Sequence, residues 1–122
     1  MSFDKLMEEL KAEYIESLPT KISELKKNSE CEDISALKEN FHKLKGTGKT
    51  YGLPEVSLLS AAMERLFEEK VDQAKLVLPE ALRILKEIQE TRSQQGELHL
   101  DQDHGFREIQ NLLKNTTSSE KN

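Results

Sequence analysis

The chain has 122 residues, a net charge of −5, 34% charged and 35% hydrophobic residues, and only 5% aromatic residues with no Trp. That length supplies a single core, and that composition favours helices over strands. Its acidity argues against a protein whose main ligand is nucleic acid, because phosphate backbones call for a concentrated basic surface. Cys31 is the sole cysteine, so neither an internal disulfide nor a multi-cysteine metal site can form, and a reducing, cytoplasmic setting is expected. No stretch approaches the roughly 20 apolar residues of a membrane span, so no membrane partner is expected.

Phe3, Leu6, Met7, Leu10 and Tyr14 form one apolar stripe and predict a first helix, with Ser2 or Asp4 placed to satisfy its first amides. Leu18-Pro19 interrupts that helix or kinks it, and Pro19 suits the first turn of a second helix carrying Ile22 and Leu25. The polar run from Lys26 to Asp33 follows, and Asp33 is placed to open the next helix.

In that helix Ile34, Leu37, Phe41, Leu44, Gly48 and Tyr51 fall at helical spacing as a buried stripe. His42 falls off the stripe, with Lys38, Lys45, Gly46 and Lys49 as its neighbours on the helix surface. Lys38, Lys43, Lys45 and Lys49 outnumber Asp33 and Glu39, so this helix is basic on an acidic protein and suits an acidic partner or a phosphoryl group. Gly46 and Gly48 each cost a helix about 1 kcal/mol relative to alanine. Gly48 lies on the stripe and is expected to admit a neighbouring helix. Gly46 lies one turn beyond the histidine and is expected to give clearance to a partner or a transferred group.

Tyr51-Gly52-Leu53-Pro54 reads as a helix stop with a left-handed glycine, then a proline opening the next helix. His42 and Glu64 each lie eleven residues from Leu53, so antiparallel helices hinged there place them at one level. Ser57, Ser60, Ala61 and Glu64 share a face away from Val56, Leu59, Met63 and Leu66, which lets the carboxylate reach the imidazole. A carboxylate on one ring nitrogen fixes the tautomer and frees the other nitrogen as a nucleophile.

Asp72 is expected to cap a last long helix with Ala74, Val77, Leu78, Ala81, Leu85 and Ile88 facing inward, which Pro79 kinks or starts. Residues 1–94 then form an all-α domain, an up-and-down antiparallel four-helix bundle with an additional N-terminal helix. Residues 95–122 read as a linker and tail, partly disordered or a short docked helix built on Phe106, Ile109, Leu112 and Leu113, with a fraying polar end. His99, Asp101, Asp103 and His104 lie in that tail at spacings that do not converge on a metal, so no metal site is expected.

The ordered set His42, Leu44, Lys45, Gly46, Gly52, Leu59 and Glu64 resembles the signature of histidine-containing phosphotransfer (HPt) domains. The run Gly-Thr-Gly-Lys-Thr-Tyr-Gly from Gly46 also resembles the phosphoacceptor domains of chemotaxis-type histidine kinases, in which a glutamate at the position of Glu64 contacts the phosphorylated histidine. The resemblance implies a phosphorelay protein with His42 as phosphoacceptor, Glu64 orienting the imidazole, Lys45 supplying charge to the phosphate and Gly46 clearance. Lys38, Lys49 and Gly46 would face the partner, a response-regulator receiver domain or a histidine kinase. The protein is expected to be a monomeric carrier with no cofactor of its own, Mg²⁺ residing only on the partner receiver, and with no ATP-dependent kinase activity. A detached phosphoacceptor domain phosphorylated in trans, or a module that sequesters a receiver or kinase without being phosphorylated, stand as alternatives.

Overall fold

Local chemistry sets the helix ends. A computed structural model describes residues 2–121, with side chains through Lys114. Among the described residues the chain forms α1 (Phe3–Glu30), α2 (Ile34–Thr50), α3 (Pro54–Glu69), α4 (Val71–Ser93), a 3₁₀ turn (Leu100–Gln102) and α5 (His104–Lys121), with no strand. Ser2 Oγ accepts from the Lys5 amide at 3.2 Å and Asp33 Oδ1 from the Ala36 amide at 3.0 Å, capping α1 and α2. Gly52 holds φ at +79° in the turn before α3, a conformation other residues adopt at a cost, and Pro54 occupies the first turn of α3.

Connections this short force successive helices to run antiparallel. Each of α1 to α4 packs on its neighbours in sequence, and α1 closes the ring against α4. Leu18, Phe41, Met63 and Leu85, one from each helix, are fully buried in the shared core. Phe41 and Phe67 stack across it with ring centroids 6.1 Å apart. Each such side chain contributes about 1.5–3 kcal/mol by leaving water. Away from the core, the Tyr14 hydroxyl meets Thr47 Oγ1 at 2.8 Å and the Tyr14 ring stacks on Tyr51 at 5.0 Å, tying α1 to α2. Thr47 already donates to the Lys43 carbonyl, so Tyr14 is the donor in that bond.

Several expected boundaries fall differently. Leu18-Pro19 does not divide two helices, so the additional N-terminal helix is the first part of α1. Tyr14, Leu18 and Leu25 are buried and stay in helical phase across Pro19, while the proline itself faces solvent, so the core holds both halves on one axis. The stripe at the start of α1 is also not buried throughout. Phe3 is 74% and Leu6 44% exposed, because Met7, Glu8 and Lys11 already lie beside Tyr51 and Gly52, and residues before them run past the end of α2. Pro79 lies inside α4, and Lys70, not Asp72, occupies the cap position, leaving Asp72 in the first turn.

The segment after α4 returns to the bundle. Leu100, Phe106 and Ile109 are buried in the same core as the four helices, and α5 packs on α3 and α4. Asp103 Oδ1 accepts from the Phe106 amide at 3.1 Å and from Arg83 Nη2 at 2.9 Å, so one carboxylate starts α5 and fastens it to α4. The polar end expected to fray, 115–122, lies beyond the described side chains.

At the other end of α4, Arg92 forks onto Glu55 at 2.6 and 2.8 Å, with Glu55 only 3% exposed. The pair joins the start of α3 to the end of α4. Breaking such a buried pair from one side costs about 3–5 kcal/mol, because the remaining charge is stranded.

The hairpin of α2 and α3 is the tightest pairing in the bundle, and Gly48 is its cause. A Cβ at Gly48 would sit 2.9 Å from the Ser57 amide nitrogen and 3.1 Å from the Leu53 carbonyl oxygen, both backbone atoms that cannot step aside alone. A Cβ at Gly46 would meet nothing within 4 Å. Gly48→Ala is therefore expected to destabilise the protein by about 1–3 kcal/mol through overpacking, and Gly46→Ala to stabilise it by up to about 1 kcal/mol through helix propensity. Urea unfolding of the two variants checks the pair; equal and small effects would remove the packing role of Gly48.

Candidate functional site

The close hairpin brings together side chains from two helices. His42 projects from the solvent side of α2, opposite the buried stripe, and its side chain is 60% exposed. Glu64 comes from α3 at the matching level, as the count from Leu53 requires, and is 14% exposed. His42 Nδ1 and Glu64 Oε2 lie 2.8 Å apart. A carboxylate only accepts, so the proton of this bond is on Nδ1 and the lone pair of the neutral ring is on Nε2. Among the described residues Nε2 has no hydrogen-bond partner.

The other oxygen of the same carboxylate is also engaged. Lys45 Nζ lies 2.8 Å from Glu64 Oε1, so one glutamate spans two residues of α2 three positions apart. Partial burial pushes the Glu64 carboxyl up, but the hydrogen bonds from Lys45 and His42, with their charges, outweigh it and hold the group below the usual carboxylate range. Glu64 is thus ionised at neutral pH. Ser57 donates to the Lys45 carbonyl at 2.8 Å and pins the backbone of α2 where this lysine leaves it.

The structure therefore joins His42, Lys45 and Glu64 in one network and leaves the other expected site residues outside it. Gly46 is exposed one helical turn after His42. Lys38 is partly exposed and Lys49 exposed, and among the described residues neither has an ion-pair or hydrogen-bond partner. Two contacts escaped the sequence reading. The Lys45–Glu64 pair was open to it, since a lysine leans toward the N-terminal turn of its own helix and so toward the level of His42. The Ser57 bond was not, because it depends on how closely Gly48 lets the backbones approach. Ser60, placed by spacing on the Glu64 face, is buried, and its hydroxyl has no partner among the described residues.

In the tail, His99 and His104 are both exposed, and Asp103 is committed to Arg83 and the first turn of α5. No described helix is long and apolar enough to cross a membrane. What the network offers chemically is an oriented imidazole with an accessible nucleophilic nitrogen and a carboxylate placed to offset positive charge on the ring.

The lowered Glu64 pKa gives a signed expectation for stability. A carboxyl whose folded pKa is depressed stabilises the fold above its unfolded pKa, and that contribution disappears as pH falls through the folded value. The stability difference between wild type and Glu64→Gln is expected to favour wild type at neutral pH and to shrink toward zero below the ordinary carboxylate range. Urea unfolding at pH 7 and pH 3 measures it, and a difference independent of pH would contradict the assigned network.

A family model described as the Hpt domain matches residues 9–115, a span that includes the network, α2 to α4, all but the start of α1 and most of the described part of α5. Comparison with curated proteins and with solved structures gave no match. With an all-helical bundle and a match over most of its length, the chain belongs to the Hpt domain family, the histidine phosphotransfer domains of phosphorelays.

Proposed function

We propose that His42 is the phosphoryl carrier of a multistep phosphorelay, receiving the group from a receiver-domain phospho-aspartate or a histidine kinase and passing it to a receiver aspartate. The observation that carries this reading is the 2.8 Å contact between His42 Nδ1 and Glu64 Oε2 on a ring that is otherwise exposed. In the transfer, the Nε2 lone pair forms a bond to phosphorus. The bond from phosphorus to the donor oxygen breaks, and its electron pair leaves with the aspartate carboxylate. The ring gains positive charge as this happens, and the Nδ1–H bond to Glu64 offsets it without any rearrangement of the site. Delivery to the next aspartate is the same step reversed.

Phosphoryl transfer of this kind depends on positioning and charge more than on covalent work by the protein. Lys38, Lys49 and the open surface at Gly46 face the partner, and the basic surplus of α2 favours approach of an acidic receiver site. In this reading Mg²⁺ belongs to the partner receiver, whose carboxylates ligate it, and the chain binds no cofactor of its own.

Incubated with phosphorylated receiver domains, or with a histidine kinase and ATP, the wild-type protein is expected to take up an acid-labile, base-stable label. His42→Gln is expected to take up none at unchanged helicity. Label persisting in His42→Gln would put the acceptor elsewhere. Tight binding of a receiver with no label from any donor would replace the carrier with a sequestering module.

A further inference from the structure

The hydroxyl of Ser57 makes a bond that its own helix does not call for. Thr47, Thr50 and Ser93 each donate to the carbonyl four residues back in their own helix, at 2.9, 3.0 and 2.8 Å. Ser57 donates instead across the hairpin, to the Lys45 carbonyl at 2.8 Å. The Leu53 carbonyl, four residues before it, already accepts from the Val56 and Ser57 amides at 3.1 and 3.3 Å. Lys45 lies inside α2, whose own ladder supplies a donor for its carbonyl, so the serine is not needed to satisfy that oxygen. The bond falls where the two backbones are closest, since a Cβ at Gly48 would lie 2.9 Å from the Ser57 nitrogen.

We infer that Ser57 is a positioning residue for phosphoryl transfer at His42, holding Lys45 at the axial level where one Glu64 carboxylate meets both the lysine and the ring. The inference rests on the reading of His42 as carrier. α3 grips Lys45 at both of its ends, with Ser57 on the carbonyl and Glu64 on Nζ, each at 2.8 Å. A helix points its carbonyls toward its C-terminus and leans its side chains toward its N-terminus. The two contacts therefore hold Lys45 from opposite directions along α2, and sliding either way lengthens one of them. Ser57 and Glu64 stand two turns apart on one face of α3, about 10 Å along its axis, so the clamp spans the level of the site. With Lys45 on Oε1, the second oxygen of Glu64 is left at 2.8 Å from His42 Nδ1. The apolar contacts of the hairpin cannot set that level alone, because they are non-directional, whereas a hydrogen bond is lost within a few tenths of an ångström.

Positioning is separated from general loosening by a control that also removes one bond between helices. Tyr14→Phe does so, losing the bond to Thr47 Oγ1 on the α1 side of α2. Wild type, Ser57→Ala and Tyr14→Phe would be phosphorylated with phosphoramidate, which has no protein surface. Its phosphorus–nitrogen bond breaks as the bond to His42 Nε2 forms, and ammonia leaves. In the unphosphorylated proteins the Glu64 carboxyl carbon would be followed by ¹³C NMR against pH. The contacts from Lys45 and His42 hold this carboxyl low, so Ser57→Ala is expected to titrate at higher pH than wild type. It is also expected to be phosphorylated roughly fivefold more slowly, the scale of one such hydrogen bond. Tyr14→Phe is expected to match wild type in both. An unmoved Glu64 titration or an unchanged rate in Ser57→Ala, or equal changes in Tyr14→Phe, would each overturn the inference while leaving the carrier reading intact. Failure of the wild-type protein to accept phosphate on His42 would overturn both.

Discussion

The register of α2 against α3 is the constraint on which the rest of the molecule depends. Gly48 lets the two backbones close to a distance no side chain would permit, and Gly52 and Pro54 set the length of the turn. With those fixed, Glu64 has no choice of level and meets His42. A slip of one residue in either helix would rotate a side chain by about 100° and carry the carboxylate off the ring. The buried Glu55–Arg92 fork and the Asp103–Arg83 latch hold α4 and α5 to this hairpin without touching the histidine.

The site works with a single carboxylate shared by two donors. A glutamate bonded to His42 alone would be a stronger acceptor for Nδ1–H, whereas Lys45 draws on the same charge and keeps the group ionised into more acidic conditions. The ring is thereby oriented without being sequestered, since its side chain stays 60% exposed. His42, Gly46 and Lys49 lie on one exposed side of α2. The opposite side of that helix is fully committed to the core.

Much of this was legible in the residues because it is written in short-range spacing. The stripe of α2 left His42 outside, the Gly52-Leu53-Pro54 turn fixed a hinge, and a count of equal arms reached Glu64. The chemistry at Gly46 and Gly48 could be divided by asking which lay on the stripe. What stayed hidden depends on neighbours far away in sequence. Pro19 reads locally as a break, and only the continuity of Tyr14, Leu18 and Leu25 in the core carries α1 through it. Phe3 and Leu6 follow a helical stripe but extend past the helices that would cover them. Glu55 and Arg92 are both ordinary surface types, and their burial together is set by the antiparallel return of α4. The polar run 93–96 reads as a linker closing a domain at residue 94, yet Phe106 and Ile109 beyond it complete the core.

The central claim is that Glu64 fixes the proton on Nδ1 and leaves Nε2 as the nucleophile. The most direct measurement is ¹⁵N NMR of the His42 ring in the neutral, unphosphorylated protein, with Glu64→Gln alongside. The account predicts an Nδ1–H tautomer with an unprotonated Nε2 in wild type, and a weakened preference when the carboxylate is replaced by an amide. A wild-type ring protonated mainly on Nε2, or a preference that Glu64→Gln leaves untouched, would contradict it.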